Sequence, residues 1–211
     1  MSVQKISGAS ALAVGLLGIP VLHFAVVDVE GKQSASQYLA HVDDHYLTTA
    51  LAGGATLLLA VALVVHLVLL RYLGAGRPAL ADAATAVAGF AAIGLVLSGA
   101  AAIMAAYGAH EGFPFEAVRP MGLVAENLFA ILIPTLAATG LLMAVLGLRD
   151  NALPRWLAIA GAVFFVVLTL LGVLLPGSAA ILALMWLVTS GAGLLLAPDR
   201  MLVRAYEGPA R

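Results

Sequence analysis

The chain has 211 residues, of which 63% are hydrophobic and only 10% are charged, and its formal net charge is −1. Charged residues make up about a quarter of ordinary soluble domains, so this composition excludes that class and is typical of a helical membrane protein. The near-neutral charge gives no reason to expect a nucleic-acid partner. Since the sequence contains no cysteine, disulfides, thiolate metal ligands and cysteine nucleophiles are excluded as well.

Long apolar runs separated by short polar gaps predict an all-α membrane protein with six transmembrane helices in a single membrane domain. The first run follows Lys5 and is too long for the apolar region of a signal peptide, so we interpret it as an uncleaved first span. Prolines are expected at the beginnings of three spans, where the missing N–H costs nothing: Pro78, Pro120 and Pro154. The predicted spans are about 6–27, 46–70, 79–107, 120–148, 154–175 and 178–197.

The distribution of basic residues predicts the orientation of the bundle. If the N-terminus is inside, the inner segments carry Lys5, Arg71, Arg77, Arg149, Arg155, Arg200, Arg204 and Arg211. The outer segments carry only Lys32 and Arg119. The positive-inside rule then places both termini in the cytoplasm and the protein in the plasma membrane. The outer side collects most of the acidic residues and four of the five histidines, His23, His41, His45 and His110.

Residues 34–46 predict a short amphipathic helix at the outer surface that leads into the second span. Ser34 or Ser36 is suited to cap the N-terminus of this helix, because a serine hydroxyl accepts from the free backbone N–H groups there. Apolar and aromatic residues recur along it at helical spacing, namely Tyr38, Leu39, Val42 and Tyr46. Tyr46 is expected in the aromatic belt of the membrane interface.

Two histidines in this segment suggest a metal site. His41 and His45 are four residues apart, so they share one helical face and are able to coordinate one ion, such as Zn²⁺. Asp44 or the neighbouring aspartate is a possible carboxylate ligand, and His110 in the next outer loop is a further candidate. The same polar residues also suit the wet face of a surface helix without any metal. We favour that interpretation and expect no cofactor, with a divalent metal as the alternative.

Glu126 is the most informative single residue. It lies roughly 8 Å below the start of the fourth span, next to Asn127, and a carboxylate at that depth should face the bundle or a wet cavity. Pro134, eight residues further on, is expected to kink the span, as Pro20 is in the first span. This arrangement makes Glu126 and Asn127 candidates for a proton or ion pathway. It also fits a structural anchor in which Glu126 is protonated or pairs, for example, with Arg119 or a loop histidine.

The sequence contains no recognisable catalytic motif. Serines at 98, 178 and 190 lack a nucleophile-elbow pattern or a neighbouring base. His66, near the inner end of the second span, lacks a second histidine at its depth for a haem, so we expect a packed core residue. Every span carries glycine, which predicts close approach of neighbouring helix backbones.

Four features resemble a family of bacterial six-helix integral membrane proteins of unknown function. These are Gln37–Ala40 before the second span, the turn Gly74–Pro78, the polar start of the fourth span, and Ala152–Leu157 opening the fifth. The resemblance covers most of the chain and implies the topology. It implies no activity, substrate or site residue.

These observations leave three functional hypotheses. We favour a non-enzymatic membrane protein that acts through partners, as an accessory or assembly subunit of a larger membrane complex. The alternatives are a small proton- or cation-coupled transporter that uses Glu126, and a metal-dependent membrane enzyme with an outer-face His/Asp site. The expected partners are the lipid bilayer and other membrane subunits, with further copies of the same chain as an alternative.

Overall fold

The computed structural model describes residues 3–25, 34–73, 78–129, 131–148, 153–174 and 176–196. Within these ranges the regular structure is entirely helical, which confirms the predicted all-α class. The eight helices are α1 (Val3–Ala25), α2 (Ala35–Asp44), α3 (Tyr46–Leu73), α4 (Pro78–His110), α5 (Phe115–Phe129), α6 (Leu132–Leu148), α7 (Arg155–Leu174) and α8 (Pro176–Leu196).

Four segments of the described chain are long and apolar enough to cross a membrane. They are Tyr46–Leu69, Thr85–His110, Phe115–Leu148 and Arg155–Gly172, and Ile181–Leu196 is a shorter apolar helix. Helices satisfy their own backbone hydrogen bonds, which is the condition for crossing a bilayer. These helices support the prediction of a membrane protein.

The fourth predicted span begins five residues earlier than expected. Backbone N–H groups of Ala117 and Val118 donate to the carbonyl oxygen of Pro114 at 2.9 and 3.2 Å, so the helix starts there and α5 begins at Phe115. Pro120 consequently lies inside α5, and the prediction that it opens a helix is wrong. Its missing N–H leaves one carbonyl unbonded in the first turns of the helix.

The same predicted span is interrupted near its middle. Helix α5 ends at Phe129 and α6 begins at Leu132. Between them, the N–H of Ile131 donates to the carbonyl of Leu128 at 3.2 Å, three residues back instead of four. Pro134, which has no N–H to donate, lies in the first turn of α6, where none is needed. At the other predicted kink, α1 continues as a helix through Pro20.

Three helix pairs are packed around reciprocal glycine contacts. In each pair, a Cβ added to either glycine would lie only 2.6–2.8 Å from the carbonyl oxygen of the other. Without side chains at these positions, the two backbones approach closely, as the glycine-rich sequence predicts. The contacts are Gly8 with Gly191 (α1 and α8), Gly53 with Gly99 (α3 and α4), and Gly140 with Gly161 (α6 and α7).

A large apolar core joins these pairs, and a smaller cluster closes one end of the bundle. Trp186 of α8 is fully buried in the large core, where its ring stacks on Phe164 of α7 at 4.7 Å. The small cluster contains buried residues from α2, α4 and α5: Tyr38, Val42, Ala105, Ala109 and Val118. We call this region, where α2 meets the start of α3, the end of α4 and the start of α5, the α2 end.

Candidate functional site

Helix α2 is defined at both of its ends by the local sequence. Ser34 is the N-cap: the N–H of Gln37 donates to its hydroxyl at 3.3 Å, and its own N–H donates to the Gln37 side chain at 3.0 Å. This reciprocal capping box satisfies two donors that the helix leaves free. His45 ends the helix, and α3 begins at the next residue. Of the two serines proposed as caps, Ser34 is therefore the one used.

Tyr38 attaches α2 to α5. Its side chain is 2% exposed, and its ring packs edge-on against Phe115 with centroids 5.6 Å apart. The Arg119 guanidinium lies over the Tyr38 ring, 5.0 Å from its centroid. The hydroxyl rests against Gly122, where any Cβ would collide with it. A small residue at position 122 is thus required for Tyr38 to reach Arg119.

Burial raises the pKa of the Tyr38 phenol above its usual value of 10.0. The side chain and the positive charge of Arg119 act in the opposite direction, while the charge of Glu126 adds to the increase. The phenol is therefore neutral at physiological pH, and the guanidinium lies over its ring.

Glu126 lies on the same face of α5 as Arg119. The two residues are seven positions apart, which is two helical turns, and their opposite charges attract each other. Of the partners considered for Glu126, Arg119 lies on the same helical face, two turns away. One guanidinium nitrogen, Nη1 of Arg119, is buried without a hydrogen-bond partner among the residues described. Asn127 is exposed and bonds locally instead, with its Nδ2 donating to the Leu123 carbonyl at 2.7 Å.

His110 pairs with Asp43, not with Asp44. The His110 Nδ1 lies 2.9 Å from the Asp43 Oδ1, and because a carboxylate only accepts, this nitrogen carries the proton. Both side chains are about half exposed, at 55% and 50%. The His110 ring also stacks on Tyr46, with centroids 4.5 Å apart. The pair connects the end of α4 to α2 and to the first residue of α3.

His41 and His45 do come together, as their spacing predicts. Their ring centroids are 4.4 Å apart, and the Nδ1 of His45 donates to the His41 carbonyl at 2.9 Å. Asp43 lies two residues from His41 and so points away from it on the helix. Over the ranges that the structure covers, no three His, Asp or Glu side chains are grouped as metal ligands. The metal site at His41, Asp44, His45 and His110 remains a prediction.

An apolar cavity of about 530 Å³ opens beside the His110–Asp43 pair. It lies between α3, α4 and α5, and this volume is in the range of small-molecule sites. Tyr46, which stacks on His110, is part of its wall. Its remaining lining is aromatic, aliphatic and sulfur-containing: Ala50, Ile103, Met104, Tyr107, Gly108, Phe113, Ala117, Val118 and Met121.

His66 belongs to a polar contact away from the α2 end. It is fully buried, and its Nδ1 lies 3.0 Å from both the hydroxyl and the carbonyl oxygen of Ser7 in α1. The nearby Gln4 side chain donates to the carbonyl of Leu194 in α8 at 3.0 Å. These bonds join α1, α3 and α8, which is the packing role that the sequence suggested for His66.

Sequence reasoning considered Asp43 only as a metal ligand, and it missed the contact of Tyr38 with Arg119, the pairing of Asp43 with His110 and the existence of the cavity. Tyr38 was interpreted only as one of several apolar residues at helical spacing, although a phenol in a buried position requires a polar partner. The helical periodicity of α2 could have indicated that Asp43 has a different partner, since it places this residue on another face of the helix from His41 and His45. The cavity forms where the start of α3 packs beside residues 103–121 of α4 and α5, so no local pattern indicates it.

Comparison of the chain with family models, with curated proteins and with solved structures found no match.

Proposed function

We propose that this protein spans the plasma membrane six times with both termini in the cytoplasm, and that it acts without catalysis as an accessory or assembly subunit. Helices α1 and α8 are the first and sixth spans, and α5 and α6 together are the fourth. The positive-inside distribution of basic residues supports the orientation. The proposed partners are other membrane subunits, in the same complex, with lipid around the bundle.

The observation that carries this proposal is the fixed position of α2. A helix of 10 residues is marginally stable alone, but the buried Tyr38 and Val42 and the contact with Arg119 hold it on α4 and α5. Its opposite face is exposed and polar, with Ser36, Gln37 and Asp44 directed away from the bundle. A surface that is ordered before binding loses less entropy when a partner docks, which suits a helix used for recognition.

Site-specific crosslinking tests the proposal. A photoreactive amino acid at Ala40, which is exposed on α2, is expected to give one discrete adduct with another membrane protein in native membranes. The matched control is the same amino acid at Leu58, which is 64% exposed in the middle of α3. Arg119→Gln should weaken the Ala40 adduct without changing the level of the protein in the membrane. Labelling of lipid alone from Ala40 would contradict the proposal.

A second candidate is proton- or cation-coupled transport through Glu126. It is favoured by one specific observation: this partly buried carboxylate lies three residues before the point where α5 ends, at Phe129. Interrupted helices free backbone polar groups inside the membrane, and transporters use such groups and nearby acids for ions. The interruption at Ile131 occurs in the middle of a segment of 34 residues.

Flux measurements separate this candidate from the first. Proton movement into proteoliposomes is followed with a trapped pH-sensitive dye. If the protein is a transporter, the parent should move protons, whereas Glu126→Gln should fold normally and move none. The control is Glu116→Gln, the same change at an exposed carboxylate of α5, which should leave the movement intact. If parent and Glu126→Gln vesicles leak protons at the same rate, Glu126 is only a structural anchor.

A further inference from the structure

The cavity at the α2 end has the features of a binding site for a small amphiphile. Its wall includes three aromatic side chains, Tyr46, Tyr107 and Phe113, and two methionines, Met104 and Met121. Aromatic and methionine side chains adapt to varied apolar ligands and favour contact with cations. With about 530 Å³, the cavity has room for more than one ring of a ligand.

The polar groups beside the cavity are predominantly acidic. A continuous set of contacts leads from the cavity wall to a carboxylate: Tyr46 stacks on His110, and His110 bonds to Asp43, which is half exposed. Residues 34–46 and 107–119 contain four acidic residues and one basic residue, Arg119, whose guanidinium lies over the Tyr38 ring. The acidic residues are Asp43, Asp44, Glu111 and Glu116.

We propose that this cavity binds a lipophilic cation, with the apolar part of the ligand among Tyr46, Tyr107 and Phe113 and its positive charge facing Asp43. The acidic surroundings repel anionic amphiphiles such as fatty acids, and the ring faces attract a cation that carries apolar groups. The site is independent of Glu126, which lies on the other face of α5 with Arg119. It therefore goes beyond the partner-binding role of α2.

Tetraphenylphosphonium and tetraphenylborate are suitable probes, because they have nearly the same shape and opposite charge. Binding is measured by equilibrium dialysis with the full-length protein in lipid nanodiscs, and empty nanodiscs correct for partition into lipid. The cation is expected to bind saturably at one site per chain. The borate is expected to show only the partition seen with empty nanodiscs.

Three substitutions locate the site. Ala117→Phe fills the cavity from α5 and is expected to weaken cation binding at least about tenfold, because the new ring occupies the ligand space. Asp43→Asn should weaken it about two- to fivefold, as expected for a half-exposed charge contact. The matched control is Ala86→Phe, at an exposed position in a separate apolar groove beside Ile131 and Pro134, which should bind like the parent.

A second cavity-filling substitution, on the opposite wall, keeps the test valid if Ala117→Phe does not fold. Met104→Trp enters the same cavity from α4, where Met104 is 57% exposed, and should reproduce the effect of Ala117→Phe. The proposal is overturned if the cation does not saturate, if the borate binds equally well, or if a folded filling variant retains the parent affinity. Equal binding of both probes would indicate an apolar groove for any lipid chain.

Discussion

Two adjacent glycines in α3 are expected to respond in opposite ways to the same substitution. A Cβ added to Gly53 would lie 2.7 Å from the Gly99 carbonyl oxygen and 2.7 Å from Cγ1 of Ile103, whereas a Cβ on Gly54 would have no neighbour within 4 Å. Since ordinary contact begins at 3.4 Å, Gly53→Ala requires α3 and α4 to separate by roughly 0.7 Å, the difference 3.4 − 2.7.

The expected magnitude follows from two opposing effects. Replacing glycine by alanine in a helix gains up to about 1 kcal/mol in helix propensity, and this gain is common to both variants. Overpacking at a close contact costs about 1–3 kcal/mol, and only Gly53→Ala incurs it. We therefore expect the free energy of unfolding of Gly53→Ala to be about 1–3 kcal/mol below that of Gly54→Ala.

Stability is measured by titration of mixed micelles with a denaturing detergent, with helicity followed by circular dichroism. Gly99→Ala, on the other side of the contact, should behave like Gly53→Ala, and Gly89→Ala, which is open, like Gly54→Ala. In the Gly53→Ala/Gly99→Ala double variant, the free energy of unfolding should fall by less than the sum of the two single-variant losses, because the first substitution already separates the helices. Equal stability of Gly53→Ala and Gly54→Ala would refute the close approach of α3 and α4.

Further predictions concern the α2 end and the topology. Tyr38→Phe keeps the ring beneath the Arg119 guanidinium but removes the buried phenol oxygen, and should lower the free energy of unfolding by about 1 kcal/mol. Because the pKa of Tyr38 is raised on folding, its contribution is present below the unfolded value of 10.0 and is lost as the pH rises through the folded value. The parent should thus lose stability above pH 10.0 more steeply than Tyr38→Phe, as pH-dependent unfolding would show. His41→Ala with His45→Ala should change stability by less than about 0.5 kcal/mol, and Zn²⁺ should not raise the melting temperature of the parent; a rise that the double variant lacks would establish a metal site. A reporter fused after Arg211 should be cytoplasmic, and a periplasmic signal would contradict the six-span topology.

The helices could largely be predicted because each one leaves a signal in a short window of sequence. Helix α3 begins at Tyr46 and α2 follows Ser34, both where the apolar pattern and the capping residue indicate. The start of α5 and the interruption at Ile131 were harder to predict from the sequence. The helix start depends on hydrogen bonds to the Pro114 carbonyl, and the interruption depends on a hydrogen bond that spans three residues instead of four. Neither changes the hydropathy, because residues 115–148 are apolar throughout.

The side-chain contacts at the α2 end were harder to predict, since they join residues far apart in the chain. The sequence suggested Arg119 or a loop histidine as the partner of Glu126, and α5 places Arg119 and Glu126 on one helical face. The contact of Arg119 with Tyr38 depends on how α2 lies across α5, and the pairing of His110 with Asp43 depends on where α4 ends. Both contacts result from tertiary packing, which cannot be predicted from periodicity or from the distribution of charged residues.

Helix α5 connects the two features of this end of the bundle. Its Arg119 and Gly122 face Tyr38 of α2, while Ala117 and Met121 line the cavity on another side. Met121 also packs against the small cluster that contains Tyr38. A helix moves as a rigid unit over two turns, so a shift of the α5 face that contacts Tyr38 also shifts the face that lines the cavity. A partner that displaced α2 would therefore change the cavity, so the two proposed interactions are physically linked through one helix.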